Sequence, residues 1–314
     1  MILLTWIGIL VVSMTVLVKA SDYFTISAEK IGIFLGVPNF VIGITIVSIG
    51  TSLPEFLTSM AAAIVGSPEI VVGNVVGSNI TNIFLGLGLL PIIIGFFKIG
   101  KKLISTDLPI LIGSSFLLAV TCWDGKFTLL EALFCLAGFL VYMIYALEEH
   151  REYNRNNIEH KEDREKLAPK TIIILVLSCL FLYLGAKYTV DAIIKISAIL
   201  NIGTEIISAS AIALGTSLPE IITSIVVIRK GKIDIAVGTL LGSNIFNAFA
   251  IMGFSGLVGT IAVPAGMLSF GIPMLILATL LYFFITLDQE ITVWEGWLLI
   301  IFYGVYLTKL LKLM

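Results

Sequence analysis

The sequence predicts an all-α polytopic membrane protein of about ten transmembrane helices, arranged as two inverted five-helix repeats in which helices 2 and 7 are broken. Three observations support this fold class. Hydrophobic residues make up 58% of the 314 residues and charged residues only 13%, which is too apolar for a soluble domain of this length. About ten apolar stretches are long enough to span a hydrocarbon layer of ~30 Å. Two polar motifs also recur in register in the two halves of the chain.

The first motif, Gly-Thr-Ser-Leu-Pro-Glu, occurs at residues 50–55 and again at residues 215–220. Each copy lies in an apolar run whose only ionisable side chain is its glutamate, Glu55 or Glu220. The proline of each copy lacks an amide hydrogen and its ring clashes with the carbonyl four residues earlier. We therefore expect both helices to break there and to leave carbonyls unpaired. Carboxylates at this depth are costly in a membrane, so they indicate a functional site.

The second motif, Gly-x-x-x-Gly-Ser-Asn-Ile-x-Asn, occurs at residues 73–82 and 238–247, and a shift of 165 residues superimposes both motif pairs without a gap. Each half holds five predicted spans, an odd number, so the second copy must enter the membrane in the opposite sense. Inverted repeats are typical of secondary transporters, with the site near the midplane where the broken helices meet. The alternative is a duplicated helical scaffold whose polar residues only pack, but packing does not require two buried carboxylates.

The predicted organisation has three parts: a first repeat over residues 1–147, a charged linker over residues 148–170 and a second repeat over residues 171–314. The linker is too short to hold a folded regulatory domain. Lysine and arginine are enriched on the cytoplasmic side of membrane proteins, which predicts a cell-membrane protein with both termini outside and the linker in the cytoplasm. This orientation leaves only these basic residues on the outer side: Lys126, Lys187, Lys195, Lys309 and Lys312.

Residue usage disfavours several other function classes. Three cysteines in predicted helices lack metal-ligand spacing, and both histidines, His150 and His160, fall in the linker, so a transition-metal site is disfavoured. An intramembrane hydrolase would use Ser52 as its nucleophile, but Pro54 occupies the required second glycine and no histidine in a predicted membrane helix can serve as base. We expect no enzyme activity, no organic cofactor, no nucleic-acid partner and no obligate protein partner. The expected partners are inorganic cations and the lipid bilayer.

The repeated motifs supply oxygen ligands of the kind that hard cations prefer. Ser78 and Asn82 are four residues apart and share a helical face, as do Ser243 and Asn247. Calcium takes about six to eight oxygens, two carboxylates balance its charge, and sodium accepts the same hard ligands. The candidate ligand side chains are Glu55, Glu220, Thr51, Ser52, Ser78, Asn82, Thr216, Ser217, Ser243 and Asn247.

The two motif pairs resemble the alpha repeats of the cation/calcium antiporter superfamily, most closely those of the prokaryotic sodium/calcium exchangers. The resemblance covers essentially the whole chain. It implies that sodium is exchanged for calcium by alternating access, electrogenically, with the first and sixth helices moving against the others. Calcium and sodium are then transported ions rather than cofactors. Carbonyl ligands in the family fall a few residues before the motif threonine, which implies the carbonyls of Ser48 and Ala213 as further ligands.

This sequence departs from the family pattern at two positions. Asn247 stands where many archaeal and potassium-dependent relatives carry aspartate, and Thr239 stands where the first repeat has Asn74. The first departure leaves potassium dependence and proton coupling open. A calcium/proton antiporter is an alternative because buried glutamates can also carry protons, although proton-coupled relatives usually show a G-N-x-x-E signature. A cation channel is a second alternative, although an inverted repeat around one carboxylate cluster favours alternating access.

Overall fold

The computed structural model describes residues 2–35, 37, 39–64, 66, 69–100, 103–156, 168–199 and 204–310. Within these ranges the chain is mainly helical, and seven helical segments are long and apolar enough to cross a membrane, or eight if a bent pair is counted as one span. The chain is therefore an all-α polytopic membrane protein, as the composition predicts.

The first half begins with a long helix and continues as shorter helices, several of them joined by π-helical turns. Its elements are α1 (Ile2–Leu35), α2 (Asn39–Ile42), a π-helical turn (Gly43–Val47), α3 (Ser48–Thr51), α4 (Leu53–Ile64), α5 (Glu69–Thr81), a π-helical turn (Asn82–Leu87), α6 (Gly88–Ile94), β1 (Phe97–Lys98), a π-helical turn (Leu103–Asp107), α7 (Leu108–Thr121), β2 (Lys126–Phe127) and α8 (Leu129–Asn156).

The second half repeats most of this order. Its elements are α9 (Pro169–Ile199), α10 (Thr204–Arg229), α11 (Ile233–Phe246), a π-helical turn (Asn247–Ile251), α12 (Met252–Val258), β3 (Ile261–Ala262), a π-helical turn (Met267–Gly271), α13 (Ile272–Ile285), β4 (Glu290–Ile291) and α14 (Val293–Leu310). Because α8 continues to Asn156, the start of the predicted linker is helical, and residues 157–167 lie outside the described residues.

Equivalent positions in the two halves differ by a nearly constant residue number, and this difference decreases by one along the chain. The shift is 165 at Asn82 and Asn247, where π-helical turns begin, and 164 from β1 and β3 onward. The change arises because the first of these turns has six residues and the second has five. The gapless alignment of the motifs therefore holds up to the π-helical turns and not beyond them.

Contacts between the halves are reciprocal. Strand β1 is the counterpart of β3 in the other half, and β2 is the counterpart of β4. Strand β1 pairs with β4 and β2 pairs with β3, so both pairings join one strand from each half, with the roles of the halves exchanged. Between β1 and β4, Lys98 forms a 2.9 Å ion pair with Glu290. The hydrogen bond between these two side chains raises the pKa of Lys98. The hydroxyls of Ser115 and Thr279, at equivalent positions of α7 and α13, lie 3.1 Å apart. Exchanged contacts of this kind are expected between two similar units related by a two-fold axis.

The predicted break in the second span is confirmed. The segments Gly43–Thr51 and Leu53–Ile64 meet at an angle of 51°. Ser52 lies between them as a turn residue with φ −87° and ψ 5°. Pro54 stands in the first turn of α4, where its missing amide hydrogen costs nothing because the first helical turn has no intrahelical acceptors for it.

The predicted break at Pro219 is wrong. The helix does not end there, because Thr204–Arg229 forms one continuous helix with the proline inside it. A proline removes one hydrogen bond and displaces one carbonyl, and neighbouring segments of a membrane helix can absorb that loss. The same hexapeptide thus ends one helix and is accommodated in another. The difference lies in the surrounding structure and not in the motif.

The span Ile233–Val258, formed by α11 and α12, lies at the centre of the molecule. All of its most apolar 18-residue window is buried, against 11% of the corresponding window in α1. Helices α1 and α9 pack along each other, and both contact α10. The second copy of the Gly-Ser-Asn motif, at residues 238–247, therefore lies on the most deeply buried of these spans.

Candidate functional site

The two motif glutamates are both buried, with 1% of each side chain exposed. Glu55 lies in the first turn of α4 and Glu220 lies within α10. Ser52, the residue at the break of the first half, donates a 2.8 Å hydrogen bond from its Oγ to Oε1 of Glu220. Both oxygens of Glu55 and Oε2 of Glu220 have no hydrogen-bond partner among the described residues. Buried carboxylate oxygens are costly when ionised and unpaired, so these three atoms call for a bound cation or proton.

The ion pairs among the described residues lie away from these glutamates. Lys98 of β1 pairs with Glu290 of β4, and two residues of α1, Asp22 and Glu29, pair with Lys230 and Lys232 between α10 and α11. The described residues also contain no group of three or more histidine, cysteine, aspartate or glutamate side chains that could hold a metal. A site at Glu55 and Glu220 must therefore rely on two carboxylates and neutral oxygens.

Buried hydroxyls connect α10 and α3 to the two helices that carry the second motif, α5 and α11. Ser217 Oγ of α10 donates to the carbonyl of Ser78 on α5 at 3.5 Å, and Ser243 Oγ of α11 donates to the carbonyl of Ser48 on α3 at 3.4 Å. Thr51 Oγ1 donates within its own helix at 3.1 Å. A hydroxyl that donates its hydrogen keeps lone pairs, so these oxygens remain available as neutral ligands.

Two buried side-chain amides belong to the same network of buried polar groups. Asn82 and Asn247 each stand at the first residue of a π-helical turn, a feature that is frequent at functional sites. Asn82 Nδ2 donates to Asn244 Oδ1 and Asn247 Nδ2 donates to Asn79 Oδ1, both at 3.0 Å. The Oδ1 atoms of Asn82 and Asn247 have no partner among the described residues. Each amide therefore has a bonded nitrogen and an unbonded oxygen.

Close backbone packing holds α11 against the π-helical turn of the second span. A Cβ atom on Gly242 would lie 2.6 Å from the carbonyl oxygen of Ile44, and one on Gly43 would lie 2.7 Å from the carbonyl oxygen of Ile235. Side chains at either position would force the two segments apart. These glycines bring the motif serine and asparagine of α11 to the bent helix.

Most of the predicted ligand residues are joined by these contacts. The buried side chains are those of Glu55, Glu220, Thr51, Ser52, Ser78, Asn82, Ser217, Ser243 and Asn247. Thr216 and Ala213 lie on α10, but their side chains are outside the described part of the chain.

The Ser48 carbonyl, a predicted ligand, is not free of hydrogen bonds in this structure. That carbonyl accepts hydrogen bonds from the Ser52 amide at 3.0 Å, from Thr51 Oγ1 at 3.1 Å and from Ser243 Oγ at 3.4 Å. The carbonyl that Pro54 releases is that of Gly50, and it accepts a 3.1 Å bond from the thiol of Cys179 on α9. Side chains next to the break satisfy its carbonyls, which the local sequence around the proline does not show.

Three asparagines of the second motif belong to the hydrogen-bond network of the site but are absent from the predicted ligand set. Asn79 and Asn244 bond to Asn247 and Asn82, and Asn74 Nδ2 donates to Ser59 Oγ at 2.9 Å and to the Glu55 carbonyl at 3.3 Å. For Asn79 and Asn244 the available signal is their repetition beside the predicted ligands, whereas Asn74 has Thr239 as its counterpart.

The departure of Thr239 from Asn74 has a structural consequence. Thr239 Oγ1 donates to the carbonyl of Ile235 in its own helix at 2.7 Å. Thr239 therefore does not make the hydrogen bonds to a glutamate-bearing helix that Asn74 makes in the first half. In the second half, Ser224 Oγ of α10 instead donates directly to the Ala236 carbonyl of α11 at 3.1 Å.

The model of one protein family, described as "Sodium/calcium exchanger protein", matches residues 5–148 and 170–312. The chain belongs to the sodium/calcium exchanger protein family. Among its relatives is sodium/calcium exchanger MaX1 of Methanosarcina acetivorans, which is 35% identical over 96% of this chain and 97% of its own length. Inner membrane protein YrbG of Escherichia coli is 30% identical over 80% of this chain and 79% of its own length.

Solved structures support the same assignment. The sodium-calcium exchanger NCX_Mj, soaked with zero Na+ and Ca2+, superimposes with a TM-score of 0.81 at 28% identity, covering 98% of this chain and 99% of that chain. The structure of NCX_Mj soaked with 2.5 mM Na+ and 0.1 mM Ca2+ gives a TM-score of 0.79 over 96% of this chain and 97% of that chain. The resemblance inferred from the motifs is confirmed. Members of this exchanger family are transporters, so the prediction that the chain is not an enzyme is also confirmed.

Proposed function

We propose that the protein is a secondary antiporter that exchanges sodium for calcium across a membrane by alternating access. The observation that carries the proposal is a set of unpaired, buried acceptor oxygens contributed by both halves: Glu55 Oε1 and Oε2, Glu220 Oε2, Asn82 Oδ1 and Asn247 Oδ1. All of them accept and none can donate in its present orientation. A cation is the partner that satisfies such a set at once.

The proposed ligands suit calcium and sodium. Calcium prefers about six to eight oxygens in flexible geometry, and the two glutamates balance its charge. The hydroxyls supply further neutral oxygens, from Thr51, Ser52, Ser78, Thr216, Ser217 and Ser243. The names of MaX1 and NCX_Mj as exchangers of these two ions point the same way. The carbonyls of Ser48 and Ala213 stay in the proposed set on the family resemblance.

The proposal includes ten spans in two inverted repeats. Strands β1 and β3 are equivalent in the two halves and follow the third and eighth proposed spans, which places them on opposite sides of the membrane. Each pairs with a strand of the other half, β1 with β4 and β3 with β2. These pairings require the loops after spans 3 and 9 to share one side and those after spans 4 and 8 to share the other. Ten spans satisfy both requirements.

Orientation and mechanism follow from the same arrangement. We place both termini outside and the linker of residues 148–170 in the cytoplasm, because this puts most lysines and arginines inside. Helices α1 and α9 pack on the outside of the central helices and are the elements proposed to move. Because neutral oxygens outnumber the two carboxylates, several sodium ions can be held at once, and we infer that more charge crosses as sodium than as calcium.

Transport by purified protein in lipid vesicles tests the proposal. Vesicles loaded with sodium should take up external calcium, and collapse of any pH gradient should leave that uptake unchanged. Uptake that follows a pH gradient in the absence of sodium would instead indicate calcium/proton exchange. Calcium flux that needs no counter-ion and shows no saturation would indicate a channel.

A further inference from the structure

Two asparagines outside the proposed ligand set, Asn79 on α5 and Asn244 on α11, contact each other across the boundary between the halves. Asn79 Nδ2 donates to the backbone carbonyl of Asn244 at 3.0 Å, and Asn244 Nδ2 donates to the backbone carbonyl of Asn79 at 3.2 Å. Both side chains are fully buried. The reciprocal bonds fix the two central helices relative to each other.

The side-chain oxygens of the same pair make a second contact each. Asn79 Oδ1 accepts from Asn247, and Asn244 Oδ1 accepts from Asn82, both at 3.0 Å. The backbone determines these orientations. A backbone carbonyl can only accept, so the Asn79 atom that contacts the Asn244 carbonyl must be nitrogen, and the other end of the Asn79 amide must be oxygen.

The orientation of the Asn79 and Asn244 amides determines the orientation of the two proposed amide ligands. Because Asn79 offers an oxygen, Asn247 must turn its Nδ2 toward it and its Oδ1 away, and Asn82 is held in the same way by Asn244. Those two outward oxygens are the ones that lack a partner among the described residues. An amide turned the other way would present N–H groups and repel a cation.

The helical segments that carry Asn82 and Asn247 contact α10 and α3, the segments on either side of the boundary between the halves. Asn82 lies one helical turn beyond Ser78, whose carbonyl accepts from Ser217 of α10. Asn247 lies one turn beyond Ser243, whose hydroxyl contacts α3 next to the break. Residues four apart share a helical face, so Asn82 lies on the face of Ser78 and Asn247 lies on the face of Ser243.

We propose that Asn79 and Asn244 are positioning residues of the ion site. Asn79 fixes the amide oxygen of Asn247, and Asn244 fixes that of Asn82, so each half of the chain sets the ligand of the other half. This inference rests on the proposed function and deepens it. It explains why the asparagine of each Gly-Ser-Asn motif is buried between the central helices and does not itself contribute an unpaired oxygen.

The test is a double-mutant cycle on calcium binding by the purified full-length protein. Asn79→Leu should weaken calcium binding by roughly 10–100-fold, the usual effect of removing a residue that orients a metal ligand. Asn247→Asp presents an oxygen whichever way it turns. Adding Asn79→Leu to Asn247→Asp should therefore not weaken calcium binding further, because the aspartate needs no positioning and the opposing Asn79 oxygen is removed with the side chain. Added to Asn82→Asp, the same change should keep its full effect.

A matched control removes another buried contact between the halves. Ser115→Ala deletes the 3.1 Å contact with Thr279, which lies in α7 and α13 and not in the proposed site. It should lower the melting temperature without changing calcium affinity. If Asn79→Leu does not fold, Asn79→Ser carries the test, because its short hydroxyl cannot reach both the Asn244 carbonyl and the Asn247 amide.

Two outcomes would overturn the inference: wild-type calcium affinity in the Asn79 variants, or the same loss in the Asn247→Asp and Asn82→Asp backgrounds. The second result would show a general structural role. Failure of the proposed function looks different, because the wild type would then bind no calcium that sodium displaces. If the wild type binds calcium, Glu55→Gln does not, and Asn79→Leu binds it with wild-type affinity, only the positioning role is wrong.

Discussion

Replacing Asn247 by aspartate places a third carboxylate beside Glu55 and Glu220, and the structure shows what it would meet. The Nδ2 atom of Asn247 donates to Asn79 Oδ1 at 3.0 Å. A deprotonated aspartate has no hydrogen to donate, so two acceptor oxygens would face each other in a buried position. A protonated aspartate restores the bond. The substitution thus couples this contact to proton binding, which the wild-type amide does not require.

The size of the effect follows from that one contact. Leaving a buried acceptor without its hydrogen-bond donor costs about 1–3 kcal/mol, and about 1.36 kcal/mol corresponds to one pH unit. Repulsion from the two glutamates acts in the same direction. The pH profile of calcium uptake by Asn247→Asp should therefore differ from the wild-type profile by about one to two pH units, with uptake lost on the alkaline side unless an extra cation binds.

The assay is sodium-driven calcium uptake in vesicles across a pH series, with and without potassium. Wild-type uptake should need no potassium, because amides at both repeat positions leave the pocket with only two carboxylates. Asn82→Asp is the matched variant, since Asn82 makes the equivalent 3.0 Å bond to Asn244, and it should behave like Asn247→Asp. Superimposable pH profiles for wild type and Asn247→Asp, or strict potassium dependence of the wild type, would refute this reasoning.

Three further predictions concern the break, the helix packing and the charge carried. Ser52→Ala removes the 2.8 Å bond to Glu220 and should weaken calcium binding by about tenfold, since a bond to a charged group is worth at least ~1.5 kcal/mol; unchanged affinity in a binding titration would count against the contact. Gly242→Ala places a Cβ 2.6 Å from the Ile44 carbonyl and should destabilise the protein by about 1–3 kcal/mol in thermal unfolding, whereas Gly304→Ala, which has open space around it, should not. Exchange should be electrogenic, so clamping the vesicle potential at different values should change its rate; a constant rate would contradict this.

The membrane fold and most of the candidate site could be predicted because the signals are local and repeated. Apolar length predicts spans, and the paired motifs place two carboxylates with hydroxyls and amides at equivalent depths. Pro54 correctly predicted the bend of the second span. These features depend on side-chain chemistry within one turn of the residue concerned, which the sequence states directly.

The features that could not be predicted depend on contacts between distant segments. Pro219 has the same neighbours as Pro54, yet it lies inside a continuous helix. The Ser48 carbonyl is occupied by a hydroxyl from the other half of the chain, at a separation of 195 residues. The role of Asn79 emerges only when α5 and α11 are placed side by side. Local propensity does not contain this information.

The central claim is that Glu55 and Glu220 together hold calcium in exchange for sodium. The most direct measurement is calcium uptake into sodium-loaded vesicles by purified wild type, Glu55→Gln and Glu220→Gln. The substitutions are isosteric, so both variants should be recovered as folded protein. Each removes half of the charge that offsets calcium desolvation, so both should abolish uptake while the wild type exchanges. Sodium-driven uptake near the wild-type rate in either purified variant would contradict the account.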